Sequence, residues 1–454
     1  MKNDMLKNNK NLRLSHERSL SMNRRKFFGV NATIATGSSL LGNSVYAETV
    51  KNKNVREAEK DIEVIDTADI IVLGGGPAGC AAAIAAGRLG LDVLLVERYG
   101  YLGGMATGGL VIGYFEYDKG MRGIVSEFND RIIADGGRSV ETNRTIKHEP
   151  FFNPEMFKIM CLDMVEKANV RLLFHAWAVG AVVNNDLIEA VIIESKSGRQ
   201  ALRAKMIIDC TGDADTAAWA GVSHENTTES NSLALDFIYG NVDFDKYRHF
   251  ITYFPDEWKK LKDKLNRDSI GWGAWYIGWN DRAWFNTFYK GSPVNVKDLT
   301  DCELDIRHKI VKHWDFYKKN VPGFEVATIL QTAHQIGCRV SRRIVGEHVL
   351  TMEDLKAGKF DDTIGKVCPL KEGNLHDVPY RSLIPKKINN LLYAGRCIST
   401  TVDVIQRVRG ISGCTVFGQG AGVAAALSVK EGVEPRKLDI GKLQAALRRQ
   451  GVAI

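Results

Sequence analysis

The eight cysteines of this 454-residue chain never pair as Cys-X-X-Cys or Cys-X-X-Cys-His; they stand apart at positions 80, 161, 210, 302, 338, 368, 397 and 414. That absence argues against a zinc knuckle, an iron–sulfur cluster and covalently attached haem, so no metal is expected. The spacings do not form a small stapled framework either, and the cysteines read as structural thiols rather than disulfides. A basic face is also missing. Of 61 Lys/Arg and 54 Asp/Glu, residues 1–47 hold eight and two, which leaves 53 against 52 for the rest. Without a compact basic stripe to neutralise phosphates, nucleic acid is excluded as a partner. The mildly apolar stretch 29–46 is too short and too polar for a stable membrane span. Core-forming material, by contrast, is ample: 44% hydrophobic residues over this length allows two or three globular domains.

The amino end carries an address. Ser21-Met-Asn-Arg24-Arg25-Lys26-Phe27-Phe28 sets paired arginines before two aromatics, and Ser44-Val45-Tyr46-Ala47 offers small residues for cleavage after Ala47. Residues 1–47 therefore read as a twin-arginine export signal, which sends the mature chain to the periplasm or another extracytoplasmic space. A start at Met22 would give a signal of conventional length. This route carries folded proteins and suits one that loads a cofactor first. Residues 48–66 read as a polar linker.

At Ala68-Asp-Ile-Ile-Val-Leu73 a short β-rich run leads into Gly74-Gly-Gly-Pro77-Ala78-Gly79, then an Ala-rich helical stretch to Leu89, a second strand Leu91–Val96, and Glu97. In this order each part has a job. Gly74 permits the tight turn out of the strand, Gly76 lets backbone approach a pyrophosphate, and Gly79 lets helix and strand pack closely. The helix amino terminus offers N–H donors and a positive dipole end to the phosphates. Glu97 is placed to accept hydrogen bonds from a ribose diol, which fits FAD or NAD and disfavours NADP.

Further along stand Tyr99-Gly-Tyr-Leu-Gly103-Gly104-Met105-Ala106-Thr107-Gly-Gly109, a set of short strands over 171–208 with turn signals between them, and Asp209-Cys-Thr211-Gly212-Asp213-Ala-Asp215. GCRVSRRIVGEHVLT, VPYRSLIP, NNLLYAGRCIST and a small-residue helical stretch from Gly418 to Ala426 complete the series. Taken together the chain, over about 67–430, resembles the FAD-dependent oxidoreductases that are distant relatives of succinate dehydrogenase, fumarate reductase and glutathione-reductase-type flavoproteins. The resemblance implies an α/β fold. A Rossmann-type FAD-binding domain, a parallel sheet with a β-meander, would span 67–225 and 388–454, interrupted by a β-rich α+β substrate domain at 226–387. It implies FAD as cofactor, with Gly74, Gly76, Pro77, Ala78 and Gly79 at the pyrophosphate, and Glu97 and Arg98 at the adenosine. Gly103, Gly104, Met105, Ala106 and Thr107 would run along the ribityl chain and flavin edge. The backbone at Val179 would face the adenine. Thr211, Gly212 and Asp213 would close over the cofactor, Gly395 and Arg396 would sit near the ribityl phosphate, and Gly418 and Gly420 would face the flavin pyrimidine. No second fingerprint appears, so a built-in NAD domain is not expected.

Five of eight tryptophans fall between Trp258 and Trp284. They suit the core of a β-rich domain, with a ring-stacking platform as the functional reading. Polar chemistry gathers at His334, Arg339, Arg342 and Arg343, at His376, Tyr380 and Arg381, and at Arg407 and Arg409. Arg409 matches a family position just before the last helix; it would steady charge on reduced flavin or clamp a carboxylate. His334 or His376 would serve as base, since histidine titrates near neutrality. The candidate catalytic set is thus Arg409, Arg339, His334, His376 and Tyr380. The expected activity is a dehydrogenase passing hydride from a small hydroxylated or amine substrate to flavin N5. The alternative is a reductase of an unsaturated carboxylate. Either needs an electron partner, a quinone or a redox protein.

Overall fold

β1 (Val64–Leu73), α1 (Pro77–Gly87) and β2 (Val93–Val96) open the fold as a parallel β–α–β unit. The computed structural model describes residues 57, 59, 61–114, 117–134, 151–228, 232–265, 270, 274–277, 281–369 and 374–454, with backbone alone at 275 and 276. The leader 1–47, and with it the export reading, lies outside the described residues. β1 begins three residues before the sequence boundary at 67, because Val64 and Asp66 already pair with Ala201 and Leu202.

Next come α2 (Ile124–Ala134), α3 (Pro154–Lys167), β3 (Arg171–Leu173), β4 (Trp177–Asn184), β5 (Leu187–Ser195) and β6 (Gly198–Asp209). The main sheet has the order β3-β2-β1-β6, continued by a late strand at Leu391–Tyr393. These pairs are parallel, while β4, β5 and the first residues of β6 form an antiparallel meander. β6 is long enough to serve both. On one edge it meets β5 at 198–202 and the late strand at 207–209, and on the other it lies along β1. β2, Val-Leu-Leu-Val, is buried throughout, as a parallel strand covered on both faces must be.

The segment after β6 contributes α4 (Asp215–Ala220), β7 (His224–Asn226), β8 (Leu233–Ala234), β9 (Phe237–Gly240), α5 (Phe244–Tyr253), α6 (Pro255–Leu265), β10 (Trp275–Tyr276) and β11 (Ala283–Phe285). α7 (Val296–Asn320), β12 (Thr328–Thr332), β13 (Gly337–Cys338) and β14 (Arg342–Ile344) follow. A second sheet, β10-β11-β9-β12, is antiparallel and packs aromatic rings against α7. Phe237 stacks on Phe285 at 5.1 Å, and Tyr239 bonds His313 Nδ1 at 2.9 Å. Its apolar side chains join those of the first sheet's helices in one continuous core, within a compact unit Ile62–Ile454. Of the tryptophan cluster, Trp258 sits in that core against Tyr247 and Tyr317.

The chain returns through α8 (Met352–Ala357), β15 (Thr363–Val367), β16 (His376–Pro379), β17 (Leu391–Tyr393), α9 (Val402–Val408), α10 (Ile411–Glu431) and α11 (Ile440–Arg449). α10 is long and apolar enough to cross a membrane, yet it lies buried in the core. There it crosses α1, Pro-Ala-Gly-Cys-Ala-Ala-Ala-Ile-Ala-Ala-Gly, whose small side chains are buried around most of the helix. The contact is backbone-close: a Cβ on Gly418 would lie 2.1 Å from Ala78 O, and one on Gly422 would lie 2.2 Å from Ala82 O. All eight cysteines are free thiols.

Candidate active site

Where the parallel strands end, at Leu73, Val96, Cys210 and Gly395, the chain encloses a cavity of about 410 Å³. This is the end of an open α/β sheet where ligands bind. The glycine loop forms one wall, and its glycines do different work. Gly74 has φ +98°, and a Cβ there would stand 2.7 Å from Cys210 O. On Gly79 a Cβ would stand 1.8 Å from Gly74 O. Both are excluded by the fold itself. Around Gly76, which lines the cavity, a Cβ would meet nothing within 4 Å. Gly76 is also the N-cap of α1 with no side-chain cap, so the first N–H groups of that helix are left for a ligand. An open approach at Gly76 and an uncapped helix end fit the pyrophosphate of FAD.

Glu97 lines the same cavity and is buried. Its Oε2 accepts from Gly75 N at 2.6 Å and its Oε1 from Tyr99 N at 2.9 Å. Burial pushes its pKa up, against the pull of those two N–H groups. The carboxylate is thus fixed beside the phosphate loop, where a ribose diol would donate to it. Arg98 stacks on Tyr99 at 4.9 Å and reaches Trp177, half-exposed at the cavity lip, at 5.8 Å. Arg396, also in the lining, pairs with Asp213 at 2.8 Å and donates to Ser341 Oγ at 2.8 Å.

Most of the sequence-predicted cofactor residues line this space: Gly74, Gly76, Pro77, Ala78, Glu97, Arg98, Gly104, Met105, Thr211, Gly212, Gly395 and Arg396. Others stand behind it. Gly79 backs the loop, and Gly103 donates its N–H to Gly75 O at 2.8 Å. Ala106 is buried, and Thr107 Oγ1 bonds Leu102 O at 2.9 Å. Val179 packs into a small cluster with Ala190 and Ile192, while its neighbours Trp177 and Ala178 line the cavity. Asp213 is outside the lining and pairs with Arg396, which is part of it. Gly418 and Gly420 are corrections: they lie inside α10 against Ala78 and Ile364, because the helix starts at Ile411 rather than near 418. Its true start, Gly410, Ile411 and Cys414, faces the cavity.

Of the catalytic candidates, Arg339 and Arg409 line the cavity. The other three do not. The His334 side chain is exposed, with its backbone N–H tied to Gly108 O at 2.8 Å. His376 Nδ1 bonds the carbonyl of Leu355. Tyr380 is buried with its hydroxyl on Pro435 O at 3.0 Å, and burial raises its pKa. Arg342 and Arg343 are structural: Arg342 pairs with Asp215 and donates to Asp213 O at 2.7 Å, while Arg343 joins Thr400 O at 2.6 Å and Glu225 at 2.9 Å. Arg339 is positioned by backbone. Its N–H donates to Ser232 O at 2.8 Å, its guanidinium bonds Leu233 O and Thr287 O at 3.2 Å, and Phe288 lies beneath it at 4.8 Å.

Sequence reasoning did not single out Asp236, Asn286 and Phe288, which line the cavity together with Trp284 of the tryptophan cluster and Gln335 of the polar segment that begins at His334. Trp284 donates Nε1–H to Leu110 O at 2.9 Å, so the indole is held by its edge. Gln335 is buried, with Nε2 toward Met105 Sδ at 3.8 Å. One signal was present for Asp236: it is the lone charge in Leu233-Ala-Leu-Asp-Phe-Ile-Tyr-Gly240. Burial pushes its pKa up to about 7, with Arg339 and the N–H of Thr287 opposing. Asp215, also on the cavity, reaches about 7 through burial and the charges of Asp213 and Asp209, opposed by Arg342.

Against known proteins, residues 69–447 match the model of the FAD dependent oxidoreductase family. The chain is 23% identical over 192 residues to digeranylgeranylglycerophospholipid reductase 1 of Methanococcoides burtonii, covering 40% of this chain and 47% of that protein. It is 30% identical over 107 residues to a cytochrome-type fumarate reductase of Shewanella frigidimarina, covering 22% of this chain and 18% of that protein. The chain thus spans less than half the length of each of these relatives. Among solved structures, a geranylgeranyl bacteriochlorophyll reductase-like protein from Thermoplasma acidophilum shares 15% identity at a TM-score of 0.46, covering 85% of this chain and 84% of that one. Since the family match runs from within β1 to within the last helix and takes in every wall of the cavity, this chain belongs to the FAD dependent oxidoreductase family, as an enzyme whose cofactor is FAD.

Proposed function

We propose that this enzyme is a dehydrogenase that takes hydride from a carbon bearing a hydroxyl (or amine) in a small substrate that also carries a carboxylate. One observation carries the reading: Arg339 and Arg409 line the same cavity as the open glycine loop, beside the amides of Asn286 and Gln335. Guanidinium groups match a carboxylate bidentately, and amides suit a hydroxyl. Apart from Arg409, the residues that would face the substrate come from 226–387, while the glycine loops come from 67–225 and 388–454. That division supports reading the middle segment as the substrate domain.

Bound FAD supplies the two-electron acceptor. The loop at Gly76 and the start of α1 would bind its phosphates, and Glu97 would hold the ribose. The start of α10, with Gly410 as N-cap, turns the positive end of a helix dipole toward the cavity, where it favours negative charge. Arg339, fixed by two carbonyls, would orient the substrate. Trp284 and Phe288 would exclude water from the reacting carbon.

A second reading rests on the same two arginines: a clamp for an unsaturated carboxylate that is reduced, with a quinone or redox protein delivering electrons. Fumarate reductase and digeranylgeranylglycerophospholipid reductase are reductases by name, which favours it. An anaerobic experiment separates the two. Bleaching of the flavin absorbance by 2-hydroxy acids supports the dehydrogenase. Reoxidation of the dithionite-reduced enzyme by fumarate-like acids, without bleaching by any hydroxylated compound, overturns it in favour of the reductase.

We infer also that the chain is exported by the twin-arginine route, on the strength of Arg24-Arg25 followed by Phe27-Phe28. Replacing both arginines by lysine should keep the holoenzyme in the cytoplasmic fraction. Unchanged export would reject this reading.

A further inference from the structure

The dehydrogenase reading leaves one proton without a destination. Removing hydride from a C–H makes a carbonyl only if the O–H proton also leaves, and neither histidine candidate lines the cavity. We propose that Asp236 is the catalytic base that takes this proton, with Arg339 as its charged neighbour; the proposal rests on the dehydrogenase reading.

The placement is built by short elements. β8 and β13 pair through Ala234 with Gly337 and Leu233 with Cys338. Asp236 leaves the end of one strand and Arg339 the end of the other, so this two-residue ladder sets carboxylate and guanidinium on one wall. Asp236 is 3% exposed and lines the cavity. Oδ1 accepts from Thr287 N at 3.0 Å, and among the described residues no hydrogen bond reaches Oδ2. A carboxylate anchored by one oxygen and turned to a cavity by the other is in the position a base needs. Among the described residues, the other two carboxylates on the cavity are differently employed: Glu97 by two backbone N–H groups, Asp215 by Arg342.

Among the described residues, the elements around Asp236 bring a single charge. Arg339 follows β13, whereas Thr287 after β11 and Ala333 after β12 contribute neutral backbone contacts. Burial is the larger effect, which puts the carboxyl near pH 7 instead of near 4. The step balances. The C–H bond breaks with its electron pair, which leaves as hydride to bound FAD. The O–H bond breaks with its proton, which goes to Oδ2, and a C=O bond forms. Asp236 returns the proton to water, and the two electrons pass on to the quinone or redox protein. Base catalysis then rises with pH through about 7, as the ionised form fills.

The test compares holoenzyme of the wild type with Asp236→Asn and Asp236→Glu, using glycolate, lactate and malate as probes. Retention of the flavin spectrum shows that each variant folds. Bleaching by an active hydroxy acid should slow by about 10²–10⁴-fold in Asp236→Asn, with partial recovery in Asp236→Glu. The rise of the wild-type rate across pH 6–8 should vanish in Asp236→Asn. A variant that bleaches at the wild-type rate, or keeps that pH profile, overturns the proposal. A second reading needs no substrate. Titrating the bound flavin's visible spectrum from pH 5 to 9 should show a transition near 7 in wild type that Asp236→Asn lacks, and identical titrations also overturn the proposal. If no probe bleaches even the wild type, the dehydrogenase reading falls and the base role with it, while the titration still decides whether Asp236 is the group that ionises near neutral pH.

Discussion

Two glycines three residues apart make opposite demands on the chain. Gly79 is required by the fold, since any Cβ would collide with Gly74 O; Gly76 is required only by what binds, since its Cβ would enter open space. Gly79→Ala should therefore destabilise the protein by about 3 kcal/mol or more, read by denaturant unfolding. Gly76→Ala, at φ −71°, should melt like the wild-type apoprotein yet lose FAD on gel filtration. Asp236 gives a residue-scale prediction of a different kind. Its folded pKa, about 7, lies above the ordinary aspartate value. Such a group adds stability that is present below the unfolded pKa and lost as pH rises through the folded one. Asp236→Asn should thus leave the melting temperature unchanged near pH 4 and raise it relative to wild type above pH 7. At this scale the sequence was most legible where function follows from adjacent residues, as in Gly74–Gly79. Asp236 was missed because its partner, Arg339, is adjacent only across the β8–β13 ladder.

At the level of elements, the decisive contact is α1 crossing α10. Helix propensity alone favours alanine over Gly418 by about 1 kcal/mol. Overpacking against Ala78 O opposes this with about 1–3 kcal/mol, and at 2.1 Å it wins. Gly418→Ala should lower stability and loosen FAD, because α1 carries the phosphate-binding turn; a variant of wild-type stability that holds FAD normally would refute the packing argument. The sequence showed a small-residue helix here but began it too late. Ile411-Ser-Gly-Cys-Thr-Val-Phe417 is poor in strong helix formers, so propensity reads a loop where burial between α1 and β15 imposes seven further helical residues. β6 misled in the other direction. Its alternating pattern announces a strand, but nothing in it says that one edge is divided between the meander and β17.

For the whole molecule, the cavity is walled by residues from Leu73 to Cys414, so a cofactor filling it ties the two ends of the chain to the middle. Holding FAD at a hundred times its dissociation constant should stabilise the fold by about 2.7 kcal/mol, seen as a higher melting temperature with added FAD. The gain should disappear in Gly76→Ala. The order strand, glycine loop, helix, strand and acid was enough to determine a dinucleotide site and the parallel sheet, because each of those signals lies within one β–α–β unit; FAD rather than NAD came from the later motifs. What faces the cofactor was decided by tertiary structure. His334, His376 and Tyr380 stand in polar segments that looked catalytic, yet one points outward and two are spent on backbone carbonyls. Asp236 and Asn286 stand in runs that looked like core. The physical reason is the same for both. A side chain's hydrogen-bond partners and exposure are fixed by strands that pair across long stretches of chain, and no local pattern records that pairing.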